Sequence, residues 1–390
     1  MKRILLLFLV AVLIVGASAG CTSKEASNDS DNVEVANESG ENKADKADVE
    51  IPEINVAWGK DLHTANPHMA FEASELFENN PVHLRPITDS KLELVKDGEV
   101  IAIVNFILGG SGSENVTLMS QGHLDVAFSS STAFMTGIDQ GLDCSILCPI
   151  QSGGVSVVAD IDAEYDTFEE LIEYAKNIEK PILAGYHSAV SSPRIVLEYA
   201  LREAGLKVTE DTSDFEADVI MIDLKGLNNL IPSLSSGQVE LWAGPIPYPQ
   251  NAEAQGVGKI ISTLDELPGG KWVDFPCCTI NVHNDLIRNH PEVVQALVEA
   301  ATDIHNFAQN NREETAEVLA GFVGLDEEIL RNNDTTYSTA ITDHFINGMR
   351  VYYEAMTEMG KFSGEFVGKD FDEIKDMVFD FSFRENISGK

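Results

Sequence analysis

Residues 118–132 read LMSQGHLDVAFSSST, and the order of residue types in that stretch decides the fold. Glu114 to Gly122 has the spacing of a helix, closed by a glycine that accepts the left-handed conformation of a C-terminal cap. Asp125 to Phe128 is then a short apolar strand. Ser129-Ser130-Ser131-Thr132 follows, a run of hydroxyls able to cap a further helix from Ala133 to about Gln140. Helix, strand, hydroxyl loop, helix is the repeating rhythm of an open and largely parallel sheet, so the chain is read as α/β.

The same rhythm extends in both directions. Toward the N-terminus, Glu53 to Trp58 alternates as a strand, a polar loop holds Gly59, Asn66 and Pro67, and a helical stretch runs from Met69 to Phe77. Val100 to Leu108 is an apolar strand that runs into Gly109-Gly110-Ser111-Gly112-Ser113. Toward the C-terminus, Pro181 to Gly185 is a strand, Tyr186-His187-Ser188 a loop, and a helix follows to Ala204, where Gly205 stops it. Val219 to Ile222 and Val239 to Ala243 add strands. Between these halves, the extended segments Gly153 to Asp160 and Cys277 to Asn284 are read as two hinge crossings. Residues 51–153 with 284–390 then make one lobe and residues 154–283 the other, with a ligand cleft between them.

Ahead of the folded part, Met1-Lys2-Arg3 and the apolar run Ile4 to Val15 form a signal peptide, 1–20, too short to span a bilayer as an ordinary helix. Ser18-Ala19-Gly20-Cys21 resembles a lipobox, which makes Cys21 the expected site of lipidation. Ser18 stands where leucine is usual, and this leaves plain cleavage or an uncleaved anchor as alternatives. Residues 21–50 are too polar to bury a core and are read as a tether. The expected location is therefore the outer face of the cytoplasmic membrane.

Sixty-four acidic residues against 26 Lys and Arg give a formal charge of −38, which argues against nucleic acid as a partner. The excess is spread along the folded part and is read as a solubility device. No phosphate-binding glycine loop, zinc-protease helix or serine elbow is present, so no cofactor and no catalysis are expected. Cys144, Cys148, Cys277 and Cys278 lack a strong zinc spacing. They are read as buried structural thiols, with a disulfide between the two segments left open and no metal assigned.

Three loops place small and hydroxyl residues before helices at the carboxyl ends of strands, where open α/β sheets bind ligands. They supply Gly110, Ser111 and Gly112; Ser129, Ser130 and Ser131; and Tyr186, His187, Ser188 and Ser191. Trp58, Lys60 and His63 on the first loop, and Pro245 and Tyr248 on a stiff proline-rich one, complete the candidate ligand set. Serine before a helix is also an ordinary cap, so each loop taken alone says little.

With these residues in place, the chain resembles the nitrate, sulfonate and taurine type of periplasmic solute-binding protein, a group that also takes in binders of thiamine's pyrimidine precursor. The resemblance rests on the order of 118–130, of IPSLSSGQVELW at 231–242 and of HPEVVQAL at 290–297. It implies a two-lobed type II periplasmic-binding-protein fold, hinge closure, and docking to the permease and ATPase subunits of an ABC importer. The implied ligand is a small solute such as a sulfonate or other anion. A pyrimidine-like heterocycle, a sensor without transport and an enzyme on the same fold are the alternatives. His83 to Val104 departs from the pattern as an inserted hairpin-like segment, and the chain beyond Arg331 is longer than usual.

Overall fold

The computed structural model describes residues 51–387; segment 1–20, Cys21 and segment 21–50 lie outside them. Among the described residues no helix is long and apolar enough to cross a membrane. The strands are β1 (Glu53–Trp58), β2 (Val82–Pro86), β3 (Lys91–Lys96), β4 (Glu99–Leu108), β5 (Val126–Ser130), β6 (Cys144–Ser152), β7 (Val155–Asp160), β8 (Ile182–Tyr186), β9 (Val208–Thr209), β10 (Val219–Asp223), β11 (Leu241–Pro245), β12 (Gly258–Thr263), β13 (Pro276–His283) and β14 (Thr336–Tyr337). They build an eight-stranded sheet in the order β14-β6-β13-β5-β1-β4-β3-β2 and a six-stranded sheet in the order β12-β7-β11-β8-β10-β9.

Each sheet has a parallel centre. In the larger one β1 lies parallel to both β4 and β5, and in the smaller one β8 lies parallel to both β10 and β11. Val56 and Ala57 in β1, and Val126 and Ala127 in β5, are adjacent residues facing opposite sides and all are fully buried, as expected where strands are covered on both faces. The inserted segment from His83 forms β2 and β3, an antiparallel hairpin that extends the sheet's edge outward from β4. An antiparallel strand also runs beside the parallel centre of each sheet, β13 between β5 and β6, and β7 between β11 and β12.

These two strands correct the expected hinges. Val155–Asp160 is β7 of the smaller sheet, so the first crossing shrinks to Gly153 and Gly154 between β6 and β7. Both glycines have φ near +70°, a turn that side chains with a Cβ resist. Residues 277–283 belong to β13 of the larger sheet, so the second crossing lies between Thr263 and Pro276 and the boundary expected at 284 moves with it. The physical reason is burial. A strand covered on both faces reads in sequence like any extended apolar connector.

The helical stretch expected from Met69 to Phe77 is broken at Ala73 (φ −147°, ψ 48°) into a helical turn Met69–Glu72 and a 3-10 turn Ser74–Leu76. Toward the C-terminus, helix Asp343–Glu358 follows β14 and packs on the second crossing, with Tyr352 edge-on against Phe275 at 4.1 Å between ring centres. Buried Asp139 holds the segment after it. Its carboxylate accepts the N–H groups of Ser363, Gly364 and Phe366 at 2.8–3.0 Å.

Buried histidines make the stability of this core pH-dependent. His305 is fully buried, lies with its ring parallel to Phe128 at a ring distance of 6.2 Å, and donates from Nδ1 to the Ala301 carbonyl at 2.7 Å. Burial holds its imidazole down to about 4. His68, stacked on Phe322 at 3.5 Å, is also held down to about 4, by burial and then by Lys60. As pH falls below 6.5 the unfolded chain takes up protons that the folded chain refuses until about 4, so stability drops across that window. Guanidinium unfolding at stepped pH is expected to lose up to about 1.4 kcal/mol per pH unit through His305, and His305→Gln to flatten the profile. An unchanged slope in that variant would refute the assignment.

Candidate functional site

The carboxyl ends of β1, β4 and β5 in the larger sheet and of β8 and β11 in the smaller one lead into a shared cavity of about 60 Å³. That is room for roughly four to six water positions, enough for a solute with a handful of heavy atoms. Of the residues singled out from sequence, His63, Gly110, Ser111, Gly112, Ser129, Ser130, His187, Ser191 and Pro245 line it.

Three helix N-termini meet there. Ser111 caps helix Gly112–Ser120 by accepting the Glu114 N–H at 3.2 Å. Helices Ser131–Asp139 and Ser192–Glu203 begin after Ser130 and Ser191 without a side-chain cap, which leaves first-turn N–H groups for a ligand. Gly112 has a steric reason for its identity, because a Cβ there would sit 2.7 Å from the Ala133 side chain.

Hydroxyls join the two sheets across the cleft. Ser113 and Ser188 share a hydrogen bond at 2.7 Å and Ser130 and Ser192 one at 3.1 Å, while Thr132 donates to the Val190 carbonyl at 2.6 Å. The described chain is therefore closed, with the lobes in contact around the cavity.

Six expected residues stand elsewhere. Trp58 is buried against Phe106 at 4.3 Å and donates toward His68, so it serves the core. Lys60 is exposed and turns over the Phe322 ring at 5.3 Å. Ser131 is buried and donates to the Cys277 carbonyl at 3.0 Å. Tyr186 is buried beneath the Arg194 guanidinium and donates to Glu210. Ser188 is spent on Ser113, and Tyr248 reaches Asn228 at 3.5 Å. The physical reason is shared: side chains alternate about a strand or its exit, and a loop's proximity to the cleft does not say which way each one points.

Sequence reasoning missed Asp61, Thr64, Asn115, Phe128, Cys277 and Cys278, all of which line the cavity. The cysteines are the chief correction. All four described cysteines are free, so there is no disulfide among them, and Cys277 and Cys278 stand at the cleft where bland core thiols were expected. Burial pushes Cys144 far up and Cys148 to about 12, which keeps those two as inert thiols.

The cleft pair differs. A hydrogen bond from Cys278 draws Cys277 well below the ordinary thiol range against the cost of burial, with help from His63, while Cys278 is pushed up as the donor. Burial opposes the charged form of His63, yet Cys277, Asp61 and the Gly154 carbonyl together raise it to about 8. His63 donates from Nε2 to that carbonyl at 2.8 Å. His187, buried and near His63, is held down to about 4, and its Nδ1 has no partner among the described residues.

A model of the NMT1-like family matches residues 50–323. No curated protein matches the chain. Among solved structures, the ligand-binding component of an ABC-type import system from Staphylococcus aureus with zinc bound superposes with a TM-score of 0.67 at 14% identity, covering 87% of this chain and 100% of that one. The periplasmic nitrate-binding protein NrtA from Synechocystis PCC 6803 gives 0.66 at 14%, covering 86% and 88%. The alkanesulfonate-binding protein SsuA from Xanthomonas axonopodis pv. citri bound to MOPS gives 0.59 at 12%, covering 80% and 94%. At these identities the likeness is one of fold.

Proposed function

The chain belongs to the NMT1-like family, and from that premise we propose that it is an extracytoplasmic solute-binding protein that closes on a small oxyanion or sulfonate and delivers it to an ABC importer. The observation that carries this reading is the meeting of three helix N-termini from two sheets around one small cavity. Free backbone N–H groups with the positive ends of helix dipoles hold an anion without a cationic cluster, and Lys60 points away. The nitrate and alkanesulfonate binders of the same fold support the ligand class.

The stacking of a pyrimidine-like heterocycle finds less support. Trp58, Tyr186 and Tyr248 are all engaged away from the cavity, and Phe128 is the aromatic residue that lines it. The two sheets act as the lobes, hinged at Gly153–Gly154 and at residues 264–275. Cys21 carries the lipid, and residues 22–50 give the domain reach toward a permease in the same membrane.

A thermal-shift comparison of the full chain with ethanesulfonate, MOPS, nitrate, bicarbonate and a pyrimidine tests the ligand class. One anion is expected to stabilise the fold by about 2.7 kcal/mol at a hundred times its Kd, with Tyr248→Phe unchanged. A shift with the pyrimidine alone would remove the anion reading. Labelled palmitate is expected to attach to the wild-type chain and not to Cys21→Ser in cells; equal labelling of both would place the anchor elsewhere.

A further inference from the structure

Cys277 and Cys278 are adjacent in a strand, where successive side chains ordinarily point to opposite faces. The register of β13 against β6 passes from Pro276 opposite Ser152 to Cys278 opposite Gln151, so Cys277 is the extra residue of a bulge. A bulge re-aims a side chain, and here it brings both sulfurs to the same place, 3.8 Å apart. Two thiolates on one tetrahedral zinc ion at bonds of about 2.3 Å stand roughly 3.8 Å apart.

His63 completes the group. One nitrogen of His63 and the two sulfurs all lie within 4.8 Å of one another, and all three residues are buried. His63 Nε2 already donates to the Gly154 carbonyl at 2.8 Å. A backbone carbonyl on one ring nitrogen is the usual outer support of a metal-bound imidazole, and it fixes Nδ1 as the nitrogen left for a metal. Among the described residues this is the one such group of three.

We propose that His63 Nδ1, Cys277 Sγ and Cys278 Sγ bind one thiophilic divalent cation of the zinc class, with the fourth coordination position open to the cleft. Three protein ligands and one open position is the arrangement of a zinc site that accepts an exogenous ligand. The two thiolates balance the charge of the cation, so the site suits a cleft that otherwise lacks a cationic cluster. Both crossings touch it, Gly154 through His63 and residues 264–275 through the strand they lead into. The inference rests on these three side chains and not on the identity of the solute.

The test is titration of the reduced, metal-free full chain with cobalt(II), followed by displacement with zinc. The expected result is one cobalt per chain, with the strong visible bands of a tetrahedral site and a sulfur-to-cobalt charge-transfer band. Cys277→Ser and Cys278→Ser are expected to weaken binding by at least ~100-fold and His63→Gln by at least ~10-fold, whereas Cys148→Ser leaves it intact. Circular dichroism of each variant separates lost ligation from lost folding, and the charge-transfer band of the wild-type chain decides the matter without any variant. Absence of stoichiometric uptake, uptake without the charge-transfer band, or uptake that survives in folded Cys277→Ser and Cys278→Ser would each overturn the proposal. Cobalt binding in a chain that no anion stabilises would leave the metal site standing and the anion reading refuted; anion stabilisation without cobalt binding would do the reverse.

Discussion

The hydrogen bond from His63 to the Gly154 carbonyl is the contact on which the arrangement turns. Gly154 is half of the first crossing between the sheets, and its φ of +70° is strained for a residue with a Cβ. A Cβ there would also lie 2.4 Å from Thr335 Oγ1 and 2.9 Å from His63 Nε2. The crossing is thus pinned from both sides of the backbone. The same carbonyl accepts the Ile246 N–H at 2.9 Å, which ties the loop after β11 to the hinge. One carbonyl oxygen therefore joins the first loop of the larger sheet, the hinge and a cleft-lining loop of the smaller sheet.

Closure built on such contacts is readily biased. The cross-cleft bonds made by Ser113, Ser130 and Thr132 are hydroxyl to hydroxyl or hydroxyl to carbonyl, and neutral hydrogen bonds of that kind contribute about 1 kcal/mol each, net of water. A solute held by N–H groups from both sheets shifts the balance only through contacts that improve on closing. The C-terminal extension adds a restraint from outside the cleft: Tyr199 on the smaller lobe donates to Glu358 at 3.1 Å, and Lys361 pairs with buried Glu198 at 2.9 Å.

Much of this was legible in the sequence. The alternation from Glu53 to Trp58, the hydroxyl run Ser129 to Thr132 and the glycine stops all reflect local backbone chemistry, and strands and helices formed where that chemistry asked. The inner antiparallel strands β7 and β13 were not recognised, because a strand covered on both faces carries no alternation to distinguish it from a connector. The cavity was located by its loops, but Trp58, Tyr186 and Tyr248 turned to other partners, since pointing is set by tertiary packing. The cysteine pair was missed for a sharper reason. Its chemistry depends on a bulge, and a bulge is a property of two strands in register, not of either one.

The most direct measurement is amide hydrogen exchange of the full chain with and without a saturating small anion, resolved at the first turns of helices Gly112–Ser120, Ser131–Asp139 and Ser192–Glu203. Slowed exchange is expected at all three, two from one sheet and one from the other, because the ligand's oxygens replace water on their N–H groups. Protection confined to one sheet, or found only away from these turns, would contradict it.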